Sequence, residues 1–525
     1  MPEDLKTADV VIKALERLGF SVAFGIPGMW SLPLYNALSE SKIQHVLMRH
    51  EQNAAYAADG YARASGKVGL CIGTAGPGAV NIAAGIVVPF KDHSPVMAMT
   101  GQVPTYERGK DWAEDLDLEA IFSPITKFAT QISEPTEAYD IVCKAYSSCL
   151  EGCPGPAYVG IPGDLQKRLS KDKGYVPIIS KVEPDPYALQ IVADLINEAN
   201  SPLIIAGWGA ILSNSSELVI RLAELIDAPV VTSMMGRGAI PEDHPLSLGP
   251  AGRRGSYYAN KALSSCDLLL ALGCRLTNLT LGNSKINCKI VQVDVEDKNF
   301  SLFSSIKVKS DVSLFIESIL PKIKARQRRH ITKSVEIEKW HGAAVSFASA
   351  IAKISDATFT IDIGQHTIWF MRALKVRRPR QVIFSGNLSA MGYALPASIG
   401  AKIAIPDRKV IAVMGDGGFQ MSSSELSTIK ESNLAIALCI FNNQSLGLIR
   451  QLQENVYHKT YGVDYVAPPD YQKLADAYGI ESIIASSPDD VKKVLESARE
   501  PILIEIPIPK SEGVELTRPR VLEDK

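Results

Sequence analysis

The sequence predicts an α/β protein of three Rossmann-like domains, each a parallel sheet flanked by helices. Three observations lead there. At 525 residues the chain is too long for one hydrophobic core, so it divides into two to four domains. Apolar runs of four to eight residues alternate with stretches of helical spacing along its length, the pattern of βαβ units. The clearest unit runs from Lys409 to Gly447, where an apolar run (Val410 to Met414) ends in Gly415-Asp416-Gly417-Gly418. Helical spacing follows around Glu425, Leu426 and Ile429, and a second apolar run (Leu434 to Phe441) ends in Asn442-Asn443. A helix crossing between two strands makes them parallel, so Asp416 and Asn443 emerge at neighbouring carboxyl ends, where open α/β sheets bind ligands.

Taken in order, residues 1–165 form the first domain. A helix from Thr7 to Leu18 leads to the strand Ser21-Val22-Ala23-Phe24, closed by Gly25-Ile26-Pro27-Gly28. An alanine-rich helix over Gln52–Arg63 follows Glu51, and a strand over Gly69–Ile72 precedes the loop Gly73-Thr74-Ala75-Gly76-Pro77-Gly78 and a helix opening at Asn81. Residues 166–186 are charged, hold three prolines and read as a linker. The central domain, 187–320, has strand candidates at Leu203–Ala206, Val230–Thr232, Leu268–Leu272 and Ile290–Val293. Residues 321–341 read as a second linker; their basic run is expected to be a solvated connection rather than a nucleic-acid patch. The third domain, 342–525, opens with a strand over Thr358–Ile363 and carries a helix containing Pro396 and Gly400.

Composition narrows the class. Hydrophobic residues make up 46% and charged residues 21%, as in ordinary soluble proteins, and a formal net charge of −2 gives no reason to expect nucleic acid. No apolar run reaches the ~18–20 residues of a membrane span, and the N-terminus does not read as a signal peptide, so the cytoplasm is expected. The eight cysteines (Cys71, Cys143, Cys149, Cys153, Cys266, Cys274, Cys288 and Cys439) read as free thiols. Cys149 and Cys153 fall at a helix-face spacing, but no second pair at metal-ligand spacing accompanies them.

The chemistry follows from residue types. Glycines before a helix N-terminus let backbone N–H groups approach a phosphate. The Asp416 carboxylate, the Asn443 amide oxygen and the Ser445 carbonyl are hard oxygen donors which, with phosphate oxygens, suit Mg²⁺. A lone Gly-Asp-Gly is a common turn; with Asn-Asn 27 residues beyond the aspartate, the pair resembles the thiamine diphosphate (ThDP) motif. HEQNAAYAADGYARASG followed by GTAGPG resembles the same family's pyrimidine-binding domain.

The resemblance covers nearly the whole chain and is greatest to the acetolactate synthase (acetohydroxyacid synthase) catalytic subunit, through GQVP at Gly101–Pro104, SMMGRGAIPEDHPLSLG, DIGQHTIWFM and SGNLSAMGYALPASIGAKIAIPD. It implies pyrimidine-binding, central and diphosphate-binding domains in that order. It implies decarboxylation of a 2-oxo acid such as pyruvate and its joining to a second 2-oxo acid, in branched-chain amino-acid biosynthesis. Glu51 would be the catalytic carboxyl group at the pyrimidine N1′, promoting the imino tautomer of the cofactor, with Pro77 and Asn81 beside it. Gly364, Gln365 and His366, Gly415 to Gly418, and Asn443 with Ser445, Leu446, Gly447 and Leu448 would hold the diphosphate and its metal. The Ser389 carbonyl would receive the pyrimidine amino group, and Met391 would wedge the cofactor into its bent form, core packing being the other reading of Met391. The resemblance further implies an obligate homodimer whose sites draw on both subunits, pairing into a dimer of dimers, and it leaves open a small regulatory subunit.

Several residues depart from the family pattern. Ala113 and Glu114 occupy positions typical of Phe and Gln, Leu452 replaces a pocket tryptophan, Gly163 replaces a pocket lysine, and Met29 and Trp30, after Gly28, stand where Gly and Ala are usual. His93 adds a titratable group to the expected substrate wall and is either an acid/base or a loop residue. In the central domain Gly207, Trp208, Gly209, Met235, Arg253, Gly273, Cys274, Arg275 and Asp294 fall at nucleotide-side loops, whereas Thr277 and Leu279 replace an acidic and a basic residue. FAD, ADP or an empty site remain the alternatives there. Two other activities stay open: a 2-oxo-acid or 2-hydroxyacyl/oxalyl-CoA decarboxylase without carbon–carbon bond formation, and an FAD-dependent oxidase of pyruvate.

Overall fold

The computed structural model describes residues 4–327 and 342–515. Most of the basic stretch 321–341 and the tail beyond residue 515 lie outside the described residues. Three six-stranded parallel sheets, each with helices on its faces, form the three domains. Their cores are continuous runs of fully buried Val, Ile, Leu and Ala, as expected where both faces of a parallel sheet are covered.

The strand order identifies the crevices. In the first domain it is Gln44–Leu47, Val22–Gly25, Gly69–Gly73, Val96–Gln102, Ala157–Pro162, Phe128–Gln131. In the third it is Val382–Phe384, Thr358–Ile361, Val410–Gly415, Ile436–Asn442, Ile502–Pro507, Glu481–Ile484. Both sheets reverse direction of growth between their first and third strands, which places a ligand crevice beside Gly73 in one and between Ile361 and Gly415 in the other. The central sheet runs Ser247–Pro250, Val230–Thr232, Pro202–Ala206, Leu268–Leu272, Lys289–Asp294, Ile306–Lys309. That is the 3-2-1-4-5-6 order of dinucleotide-binding sheets, with its switch point between Ala206 and Leu272.

The first and third domains meet along two helices, Glu51–Ser65 and Ala394–Ala404. Small residues let the backbones touch. A Cβ on Gly60 would lie 2.1 Å from the Ala397 carbonyl oxygen, and one on Gly400 1.8 Å from that of Ala57. One buried apolar cluster runs through this contact from Phe24 and Ile82 to Leu438 and Leu503. The helix Glu51–Ser65 then stops at Gly66, whose φ of +77° is a left-handed cap that only glycine adopts at little cost.

Several sequence expectations need correction. No separate loop follows Val410–Gly415: a helix begins directly at Asp416 and runs to Ser422, with the extended Gly415 as its N-cap. The second apolar run becomes strand only from Ile436. Part of the linker 166–186 is ordered: Leu169–Lys171 pairs antiparallel with Asp4–Lys6. Cys149 and Cys153 do not share a helix face, since the helix Ala138–Leu150 ends before Cys153. The strands Ser247–Pro250 and Ile306–Lys309 were not anticipated; each is short and lies at an edge of the central sheet. All eight cysteines are free thiols.

Candidate active site

Two polar centres are built at the crevices of the outer domains. In the first, Glu51 is the first residue of its helix, and its Oε2 accepts a hydrogen bond of 2.9 Å from Asn81 Nδ2. Glycines make the room for it: a Cβ on Gly78 would sit 3.2 Å from Glu51 Oε1, and one on Gly73 3.9 Å from its Cγ. Pro77 opens the helix carrying Asn81, the position where a missing N–H costs nothing. Glu114 is brought to this loop, because a Cβ on Gly76 would lie 2.8 Å from its Cβ. Gly28 packs on Thr74, and the Trp30 ring lies 3.1 Å from the position of a Cβ on Gly163. The Trp30 indole thus fills the space a longer side chain at 163 would need, and its buried N–H has no partner.

The second centre gathers around Asp416, which is almost fully buried. Its Oδ1 accepts from the Gly417 N–H at 2.9 Å and its Oδ2 from the Ser445 N–H at 3.3 Å. Asn443 Oδ1 accepts from the same Ser445 N–H at 3.1 Å, and its Nδ2 donates to Gln365 at 3.3 Å. Burial raises the Asp416 carboxyl to about 6, a cost that a bound cation would offset. Met391 is drawn to the same spot: its Cε is 3.4 Å, Leu446 Cδ2 2.9 Å and the Tyr465 hydroxyl 2.6 Å from the place of a Cβ on Gly417. Gly447 leaves space for Gln365 and Asn443, and Gly415 for His366. The His366 Nε2 and Ser445 Oγ are buried without a hydrogen-bond partner, and burial lowers His366 to about 4, so it is neutral at physiological pH. Unpartnered polar atoms beside glycines and a helix N-terminus fit an anionic ligand.

Sequence reading missed three participants. Asp362, at the end of Thr358–Ile361, accepts from the Gly392 N–H at 3.0 Å, and burial raises it to about 7. Tyr465 covers Gly417. Gln451 links Gln365 (2.9 Å) to the segment after the last strand, donating to the Val514 carbonyl at 2.6 Å. A polar residue ending an apolar strand marks Asp362 in the sequence; the other two sit on segments without a motif.

A cavity of about 710 Å³ opens among the three domains. All nine residues assigned by resemblance to a nucleotide line it: Gly207, Trp208, Gly209, Met235, Arg253, Gly273, Cys274, Arg275 and Asp294. Thr277 and Leu279 line it too, as do Ser389, Leu448 and Leu452. Of the expected substrate-pocket residues, His93 and Leu452 line this cavity, whereas Gly28 and Glu114 meet the loop Gly73–Gly78, and Trp30, with Met29 in the same short turn, packs on Gly163. His93 caps the helix Pro77–Asp92 at a φ of +55°, and burial, then Arg275, lower it to about 4.

Comparison with known proteins agrees with this geometry. Residues 5–121 match the thiamine pyrophosphate enzyme N-terminal TPP binding domain, 189–319 the central domain and 362–506 the C-terminal TPP binding domain. The chain is 37% identical to a probable acetolactate synthase large subunit of Methanocaldococcus jannaschii, over 98% of this chain and 94% of that protein. It is 35% identical to the acetolactate synthase large subunit of Lactococcus lactis, over 97% and 93%. It is 33% identical to that of Pyropia yezoensis, over 96% and 92%. With three matching domains and relatives this similar along almost its whole length, the chain belongs to the thiamine pyrophosphate enzymes, as an enzyme of the acetolactate synthase type.

Proposed function

We propose that the Asp416 centre holds the diphosphate of ThDP through Mg²⁺, and that Glu51 is the carboxyl group acting on its pyrimidine. The observation that carries this reading is the set Asp416, Asn443 and Ser445 at adjoining strand ends, beside the unpartnered His366 Nε2. Among the described residues no cluster of three His, Cys, Asp or Glu stands ready for a metal. A donor set of one carboxylate, one amide and one carbonyl suits Mg²⁺ that keeps phosphate oxygens as ligands. When bound, ThDP supplies the nucleophilic carbon and the electron sink for cleaving the bond to a 2-oxo acid's carboxylate. Asn81 holds the Glu51 carboxylate in place. Met391 and Leu446 give the region beside Gly417 an apolar wall that keeps water out.

The reaction proposed is decarboxylation of pyruvate and joining to a second 2-oxo acid. Met29 is 63% exposed, and Leu32 and Val80 are further exposed apolar side chains of the first domain. Glu51 makes its hydrogen bond within its own domain and Asp416 within its own. Both facts support a site completed by a second copy of the chain, so that the dimer is the active unit. The relatives' designation as large subunits supports a smaller partner subunit. The central cavity, with its dinucleotide strand order and the guanidinium groups of Arg253 and Arg275, supports FAD as a structural cofactor. No helix among the described residues is long and apolar enough to cross a membrane.

Product analysis by NMR, with ThDP, Mg²⁺ and pyruvate supplied, tests the reaction, and the visible absorption spectrum of the purified protein tests the flavin. Acetolactate is expected. Acetaldehyde alone would mean that Gly163, Trp30 and Leu452 have removed the acceptor site, leaving a decarboxylase.

A further inference from the structure

A buried ionic cluster joins the first domain to the segment that bears Ser389 and Met391. Arg63, Asp59 and Asp92 have side chains at most 2% exposed. Arg63 bonds Asp59 at 2.9 Å and Asp92 at 2.9 Å, and donates to the Phe384 carbonyl at 2.9 Å. Asp92 Oδ2 accepts from the Gly386 N–H at 3.0 Å. Its Oδ1 accepts from the Asn387 N–H at 2.8 Å and from Asn387 Nδ2 at 2.7 Å. Asp59 accepts from the Tyr393 hydroxyl at 2.6 Å. The cluster therefore grips residues 384–387 on one side and 393 on the other. Between them the chain makes a strained turn, with Ser389 at a φ of +60°.

A buried ion pair is a poor source of stability, because desolvation offsets most of its attraction. Its bonds are directional, however, and two successive backbone N–H groups aimed at one carboxylate fix where a loop lies. We propose that Asp92, anchored by Arg63, is a positioning residue for ThDP, setting the place of Ser389 and Met391 from the first domain of the same chain. This rests on the reading that residues 389–391 contact the cofactor.

Asn387 is exposed, so Asn387→Ala removes one bond to Asp92, with the longer contacts to the Lys91 carbonyl (3.3 Å) and from Arg275 (3.2 Å), without leaving a charge buried. Asp92→Asn removes the charge itself. ThDP affinity is measured by isothermal titration on the full-length protein with Mg²⁺, alongside KM for pyruvate at saturating ThDP and the melting temperature without cofactor. Asn387→Ala is expected to raise the ThDP Kd roughly three- to tenfold, with KM and the cofactor-free melting temperature unchanged. Asp92→Asn, where it folds, is expected to exceed tenfold and to weaken the circular dichroism band of the bound aminopyrimidine. Wild-type ThDP affinity in folded Asn387→Ala would overturn this inference alone. Failure of the unaltered protein to bind ThDP would overturn the reading of the site, and this inference with it.

Discussion

Asp362 is 1% exposed and carries a carboxyl raised to about 7 by burial, against the pull of the Ile363, Gly392 and Tyr393 N–H groups. An unfolded aspartate ionises near ~3.9. Between those values the folded chain holds a proton that the unfolded chain has lost. Stability from this residue is therefore full below about pH 4 and is lost as pH rises through about 7. A difference of this size corresponds to on the order of 4 kcal/mol. Asp362→Asn mimics the protonated form and cannot ionise. Urea unfolding of both proteins at pH 5 and pH 8 isolates the effect, since Asp416 and the histidines titrate alike in each. The variant should gain stability relative to the unaltered protein by about 2–4 kcal/mol between the two pH values. Parallel pH dependence would refute the reasoning and show that Asp362 is ionised in the fold.

Three further outcomes are expected. Glu51→Gln should lower kcat about 10²–10⁴-fold in steady-state assays while ThDP still binds, since it removes the proton-transfer group and little volume. Gly400→Val should separate the two domain-joining helices, because the clash is with the Ala57 backbone and no rotamer relieves it; a loss of about 3 kcal/mol or more in urea unfolding is expected. Cys266 and Cys288, with sulfurs 3.5 Å apart, should be the first thiols to disappear on titration after treatment with diamide, which takes up the two hydrogens as a disulfide forms; a Cys288→Ser variant should lose no pair at that dose.

What could be read from the sequence divides along physical lines. The central strands were legible because a strand covered on both faces must be an uninterrupted apolar run, as at Leu268–Leu272 and Val410–Gly415. Edge strands such as Ile306–Lys309, half exposed and carrying lysines, show no such run. Asp416 and Asn443 were legible as a pair because one crossover helix fixes how far apart two neighbouring strand ends lie in sequence. Asp92, Arg63 and Asp362 were not, because what gives each its meaning lies far along the chain: Asp92 meets Asn387 across 295 residues, and Asp362 meets Gly392 across 30. The substitution at 163 shows the same limit. In sequence Gly163 is only a missing lysine; in the fold the edge of the Trp30 ring lies 3.1 Å from where its Cβ would be. A side chain at 163 would press on the Trp30 ring from its Cβ onward, so the two positions are coupled. Acceptor preference is therefore to be assayed with Gly163→Lys alone and with Trp30→Ala beside it; a gain in carboligation only in the double variant is expected, and equal gain in the single variant would show the positions to act independently.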